Sequence, residues 1–391
     1  MTNVLALLFF LLPVAAFSGW VLGRRRSERT SGARVNELST SYFRGLNYLL
    51  NEQQDKAIEV FLKLAEINRD TVETHLALGN LFRRRGEVER AIRVHQHLIS
   101  RPNLNQDEKT IALLELGEDY MRAGLLDRAE TLFTDLVAMD ALAPSALKHL
   151  IGIYQHERDW NKSIENALRL QQATGDSQGA LIAQFHCELA ELSRAQGARE
   201  DAHAHVADAF AAEPECVRAH MIEGHLESAA GHLDLAIQAF ERVAELDVDY
   251  VPEILSPLLD CYARAQHMQR AEEFLLRITE RYQGVSPVLA LAKMYTITRG
   301  EEAAAEFLNQ VLRERPSVRA LMAMIDANLR TVSEESRGKF LILRDLTSKL
   351  VEGKAMYRCN QCGFGAKAHH WQCPSCKNWG TVRPIHGVVG E

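Results

Sequence analysis

Between Tyr357 and Gly380 the chain reads YRCNQCGFGAKAHHWQCPSCKNWG, which places Cys359, Cys362, Cys373 and Cys376 in two Cys-x-x-Cys pairs. Thiols at this spacing can hold a metal, close disulfides or exchange electrons. Each pair suits a tight knuckle that presents two thiolates, and four thiolates in a tetrahedron suit one zinc or iron ion. Gly363 follows the first pair and permits the positive-φ turn that aims backbone N–H groups at sulfur. Pro374 stiffens the second turn. Tyr357, Phe364, Trp371 and Trp379 are expected to form a small aromatic core around the site. His369 and His370 lie between the pairs, but four cysteines already fill the shell, so both are read as surface or packing residues. A tail of this size is too short to fold alone. Metal binding of about 10–16 kcal/mol, as in zinc-finger peptides, would supply the missing stability.

The choice between metal and disulfide depends on compartment. From Met1 to Gly23 there is no charged side chain, and Val4–Leu22 is almost wholly apolar. A helix over that stretch would span roughly 28 Å, the hydrocarbon thickness of a bilayer. Pro13 within it is tolerated in membrane helices. A cleaved signal peptide with Ala16-Phe17-Ser18 as its site is the competing reading, but the basic residues follow the apolar run instead of preceding it. Arg24–Arg26, with Arg29 and Arg34, then act as a stop-transfer flank that holds the body in the cytoplasm. Thiols stay reduced there, which favours metal over disulfide.

The elements that must carry this module come from a repeat. Gly45, Tyr48, Ala57 and Phe61 are echoed by Gly79, Phe82, Ala91 and His95, and again by Gly117, Tyr120, Ala129 and Phe133. Tyr154, Ser163 and Ala167 continue more weakly. Ala190, Gly197, Ala202 and Pro214 follow, then Gly224, Gly231, Ala236 and Phe240. Looser copies occur at Leu259, Tyr262 and Ala271, and at Ala292, Tyr295 and Ala304. This pattern resembles the tetratricopeptide repeat, and it implies an all-α superhelix of about eight antiparallel helix pairs. Gly86, Gly124, Gly197 and Gly231 fall at turns between helices, where a left-handed residue ends the first helix. Pro214 and Pro316 fall between repeats.

The expected organisation is a membrane anchor over 1–23, a basic linker over 24–38, repeats over 39–316, closing helices over 317–353 and the metal module over 354–391. The closing segment carries Thr331-Val332-Ser333-Glu334 in the form of a capping box. It also carries an apolar stripe of Phe340, Leu343, Leu346 and Leu350 expected to cover the open end of the array. Cys187, Cys216 and Cys261 are read as isolated buried residues. The spacings of His95/His97 and His203/His205 put each pair on different helix faces, which disfavours a metal there, and His186 is likewise read as a packing residue. The inner wall of the array is expected to present Asn80, Arg83, Glu118, Glu191, Arg194, His225, Asp260 and Lys293 as a groove for a segment of another protein. Reversing the charge of Arg83 and Arg194 together is expected to weaken capture without unfolding the array.

A net charge of -7 and a pI near 6.1 argue against a nucleic-acid partner. There is no HExxH, P-loop, GxSxG or kinase motif, which favours a non-catalytic protein. The tail is similar to rubredoxin, from which it departs at Lys377-Asn378, where rubredoxins usually carry Gly. That departure favours a structural or docking role. A rubredoxin-type redox protein on a repeat scaffold is the alternative.

The whole layout resembles the lipopolysaccharide assembly protein B family, most specifically at YRCNQCGF, WQCPSC and the following Trp379 and Thr381–Ile385. The resemblance implies an adaptor at the bacterial inner membrane with its body in the cytoplasm. It would present the lipid A pathway deacetylase LpxC to the membrane AAA+ protease FtsH, limit lipopolysaccharide production, and link synthesis to lipopolysaccharide transport and assembly proteins. Whether the chain forms a homo-oligomer stays open.

Overall fold

A computed structural model of the protein describes residues 40–48, 51, 53–67, 72–331 and 333–391. The apolar run Val4–Leu22, the arginines that follow it and the linker 24–38 lie outside the described residues. Among the described residues, no helix is long and apolar enough to cross a membrane. The chain divides into two compact units, Met1–Asp159 with Gln172–Gly175, and Trp160–Gln171 with Asp176–Glu391.

In the first unit the helices pair in chain order: α1 (40–48) with α2 (Gln54–Ile67), α3 (Val72–Arg84) with α4 (Val88–Ile99), and α5 (Gln106–Arg122) with α6 (Leu126–Ala138). Helix α7 (Ala143–Glu157) follows, while α8 (Trp160–Thr174) belongs to the second unit as far as Gln171. The recurring small residue has a steric cause. A Cβ built on Gly117 would stand 2.5 Å from the Phe133 ring, one on Gly45 2.8 Å from Phe61, and one on Gly79 2.3 Å from His95. Each glycine on a first helix thus admits the large side chain of its partner helix, which is fully buried. Overfilling such a contact costs about 1–3 kcal/mol. Asn105 caps α5 in a full capping box with Glu108, which satisfies two orphan N–H groups.

The second unit continues with α9 (Gly179–Ala195) and α10 (Arg199–Ala212), then α11 (Val217–Ala230) and α12 (Leu233–Leu246). A 3-10 turn, Val248–Tyr250, leads into α13 (Val251–Arg264) and α14 (Met268–Arg281). Helices α15 (Ser286–Thr298) and α16 (Glu301–Glu314) make the next pair, and α17 (Val318–Thr331) with α18 (Glu334–Val351) the last. The largest core of this unit joins Phe240, Val251, Leu258, Tyr262, Phe274 and Leu291. The tetratricopeptide architecture expected from the sequence is what the chain adopts. Two of its fainter copies turn on Arg158 and Gln266, both at φ +60°, so they lack the glycine that marks the others.

Two details of the closing segment differ from expectation. Thr331 ends α17, and α18 starts from Ser333 without a side-chain cap bond. The apolar stripe on α18 is largely open as well, with Leu343, Leu346 and Leu350 each about half exposed. On α18 it is Thr347 that is buried, and its hydroxyl returns to its own backbone at Leu343 O and Arg344 O.

After α18 the chain forms a three-stranded antiparallel sheet of β1 (Tyr357–Cys359), β2 (Gly365–Ala366) and β3 (Val382–Pro384), in the order β2-β1-β3. Cys359, Cys373 and Val382 are its buried centre, with Tyr357 and Phe364 packed on them.

Candidate metal centre and its docking surface

Both knuckles are built by the same hydrogen bonds. In the first, Cys359 N donates to Phe364 O at 2.8 Å and Gly363 N to Cys359 O at 2.9 Å. In the second, Cys373 N donates to Asn378 O at 2.9 Å and Lys377 N to Cys373 O at 2.9 Å. Gly363 sits at φ +78° and Lys377 at φ +60°. Lysine therefore takes the left-handed place that glycine holds in the first turn. The departure from rubredoxin at this position leaves the knuckle geometry intact, at a backbone cost of about 1–2 kcal/mol.

The two turns face each other. Cys359 Sγ lies 3.7 Å from Cys376 Sγ, and Cys362 Sγ lies 3.7 Å from Cys373 Sγ. All four sulfurs fall within 4.8 Å of one another. A tetrahedron with metal–sulfur bonds of about 2.3 Å has sulfurs about 3.8 Å apart, so this donor set fits one zinc or iron ion. The surroundings already favour thiolate at Cys359 and Cys376. The Thr381 hydroxyl, 3.3 Å from Cys359 Sγ, leads the causes that hold that thiol down to about 6. Backbone N–H and Nδ2 of Asn378 lower Cys376, with Nδ2 at 3.4 Å. Burial pushes Cys373 up to about 11, and a bound cation would reverse that.

Trp371 and Trp379 do not shield the sulfurs, contrary to expectation. Their rings point out of the knuckle onto the helices of the second unit. Trp371 stacks on Tyr250 with centroids 4.9 Å apart and 14° between planes. Trp379 meets Trp160 and Phe185 edge-on, both at 6.2 Å. Between the two indoles lies the guanidinium of Arg218, 5.4 Å from one ring and 5.7 Å from the other. Arg218 is only 3% exposed, and Glu188 neutralises it at 2.9 Å. Cation–π contacts strengthen when desolvated, to about 2 kcal/mol. His369 packs edge-on against Tyr250, Tyr357 and Trp371.

Polar contacts fix the register of this docking. Arg383 pairs with Asp247 at 2.5 Å and covers the Tyr250 ring at 4.8 Å. Tyr357 donates its hydroxyl to Glu253 at 2.5 Å. His386 reaches Asp249 at 3.3 Å. Beyond the sheet, Val318 N donates to Val388 O, and Arg319 pairs with Glu391 at 2.5 Å. The metal module is thus held by α8, α9, α11, the 3-10 turn, α13 and α17. Arg218, Trp160, Asp247 and Glu253 escaped sequence reasoning because no short spacing links them to the cysteines.

The predicted groove residues fall into different situations. Arg83 is the hub of an ion network, bonded to Glu115 at 2.6 Å, Glu118 at 2.8 Å and fully buried Asp119 at 2.8 Å. Glu118 also meets His149 at 3.2 Å. Arg83 therefore braces the first unit as well as lying on the expected groove, and reversing its charge would act on this network too. Asn80 is half-buried with no bond to its Oδ1. In the second unit Glu191 lies 3.5 Å from Arg218, on the wall that the metal module covers. His225 packs edge-on against Phe240. Burial, then the nearby Arg194 charge, lowers its pKa. Asp260 pairs with Arg264 at 3.2 Å, while Arg194 and Lys293 are exposed. Cys187 and Cys216, expected to be isolated, lie 3.9 Å apart in the core between α9 and α11.

A family model described as a rubredoxin metal binding domain matches residues 357–384, and a tetratricopeptide repeat model matches 114–177 and 187–247. Over 389 residues the chain is 39% identical to lipopolysaccharide assembly protein B of Escherichia coli K12, covering 99% of this chain and 100% of that protein. Over 396 residues it is 34% identical to lipopolysaccharide assembly protein B of Haemophilus influenzae, covering 98% of each. With repeats, tetrathiolate tail and full-length identity in agreement, the chain belongs to the lipopolysaccharide assembly protein B family.

Proposed function

We propose that the chain is a non-catalytic adaptor tethered to the inner membrane by residues 1–23, with its repeats in the cytoplasm. In this reading it brings the deacetylase LpxC to the protease FtsH and so sets the rate of lipopolysaccharide synthesis. It also touches the lipopolysaccharide assembly proteins. The observation that carries the reading is the docking of the tetrathiolate module on the helical repeats through Arg218, Trp371 and Trp379. A metal so placed braces a protein-binding scaffold, because loss of the ion releases the contacts that span several repeats. Tethering scaffold and protease to one membrane raises their effective concentration. The relatives' name supports the pathway.

The test is the half-life of the deacetylase in cells depleted of the native protein and supplied with variants. The wild-type chain should restore rapid turnover, and crosslinking in those cells should capture both enzymes. Cys359→Ser with Cys362→Ser, or replacement of residues 1–23 by a soluble tag, should leave the deacetylase long-lived. Normal turnover with both variants would overturn the adaptor reading.

A further inference from the structure

Helices α9 and α10 pack closely, because Ala183, Ala190, Ala202 and Ala209 are fully buried in the core they share. At one edge of this contact three metal-ligating side chains converge. His205 and Asp208 are three residues apart on α10 and so share a face, and His186 comes from α9. One ligand atom from each lies within 4.8 Å of the other two. Nδ1 of His186 is 3.8 Å from Asp208 Oδ2, too far for a hydrogen bond. Nδ1 of His186 and Nδ1 of His205 are both buried and without a hydrogen-bond partner. Buried imidazole nitrogens are normally satisfied, so two such atoms beside one carboxylate call for an explanation.

We propose that His186, His205 and Asp208 form a second metal site, separate from the four cysteines and specific for a divalent transition ion such as zinc. Two imidazoles and a carboxylate are a familiar donor set for zinc that keeps a fourth position open for water. Asp208 is more than half exposed, so its carboxylate is free to rotate inward and shorten the ligand spacing towards the roughly 3.3 Å of a tetrahedral site with bonds of about 2.0–2.1 Å. The open position and exposed carboxylate make this the weaker, exchangeable site. Its placement gives it a use. Phe185 and Glu188 on the same helix contact Trp379 and Arg218, so an ion clamping α9 to α10 would stiffen the wall on which the metal module docks.

The test is calorimetric titration of zinc into the full-length chain already holding one zinc per chain on its cysteines. One further equivalent should bind, with a rise in melting temperature. His205→Asn and Asp208→Asn should each weaken that binding by about tenfold or more while the thiolate-bound zinc stays in place. His97→Asn, at an exposed histidine on α4, should bind as wild type does. Circular dichroism would verify that the variants fold, and Asp208→Asn keeps the shape of an exposed side chain. Absence of a further equivalent, unchanged affinity in both site variants, or an equal loss in His97→Asn would each overturn the site.

Discussion

Tyr250, in the 3-10 turn between α12 and α13, lies flat against Trp371 of the metal module, with ring centroids 4.9 Å apart. The stack joins two segments far apart in sequence and places the tetrathiolate centre on the helices. Trp371→Ala should remove this stack and one wall of the Arg218 site, at a cost of about 3 kcal/mol. Metal content should stay unchanged, since no sulfur contact is lost. Hydrogen exchange would read the result as faster exchange in β1–β3 and around residues 352–356. Unaltered protection would show that the stack contributes nothing to docking.

His369 gives the docked state a pH dependence. Burial is the main cause that lowers its pKa to about 4, and its Nε2 is buried without a partner. The folded state therefore favours the neutral ring, while the unfolded chain protonates it near the ordinary value of about 6.5. The associated stability is complete above about pH 6.5 and is lost as pH falls towards 4. By pH 5 the difference between wild type and His369→Asn should have narrowed by about 2 kcal/mol. Parallel stability curves for the two proteins from pH 7 to 5 would refute this assignment.

Arg83 holds three carboxylates, one of them the fully buried Asp119, which also bonds His95 Nδ1 at 2.6 Å. Removing the guanidinium leaves an uncompensated buried charge, and adding a fourth carboxylate worsens it. Arg83→Glu should cost about 3–5 kcal/mol, seen as a lower urea midpoint for the first unit. Arg194→Glu, at an exposed side chain, should stay within about 0.5 kcal/mol of wild type. Equal behaviour of the two variants would contradict the network.

Lys377 stores backbone strain at φ +60° in the second knuckle. Lys377→Gly should raise stability by about 1 kcal/mol and leave metal content unchanged, because its N–H to Cys373 O is retained. A fall in melting temperature on this substitution would show that the lysine side chain has a stabilising contact.

The sequence alone determined what depends on short spacing. Cys-x-x-Cys pairs must form knuckles because two residues are the turn that aims both thiolates at one ion. The Gly117–Phe133 and Gly45–Phe61 pairs were legible because a small residue facing a large one repeats with each helix pair. Repeats that turn on Arg158 or Gln266 were fainter, since the turn's geometry recurs there without its usual residue. The tertiary structure alone decided that Trp371 and Trp379 face the helices, that Arg218 is held between them, and that His186 meets His205 and Asp208. Those relationships join residues tens to more than a hundred positions apart. They are set by how successive helices stack, which no local periodicity encodes.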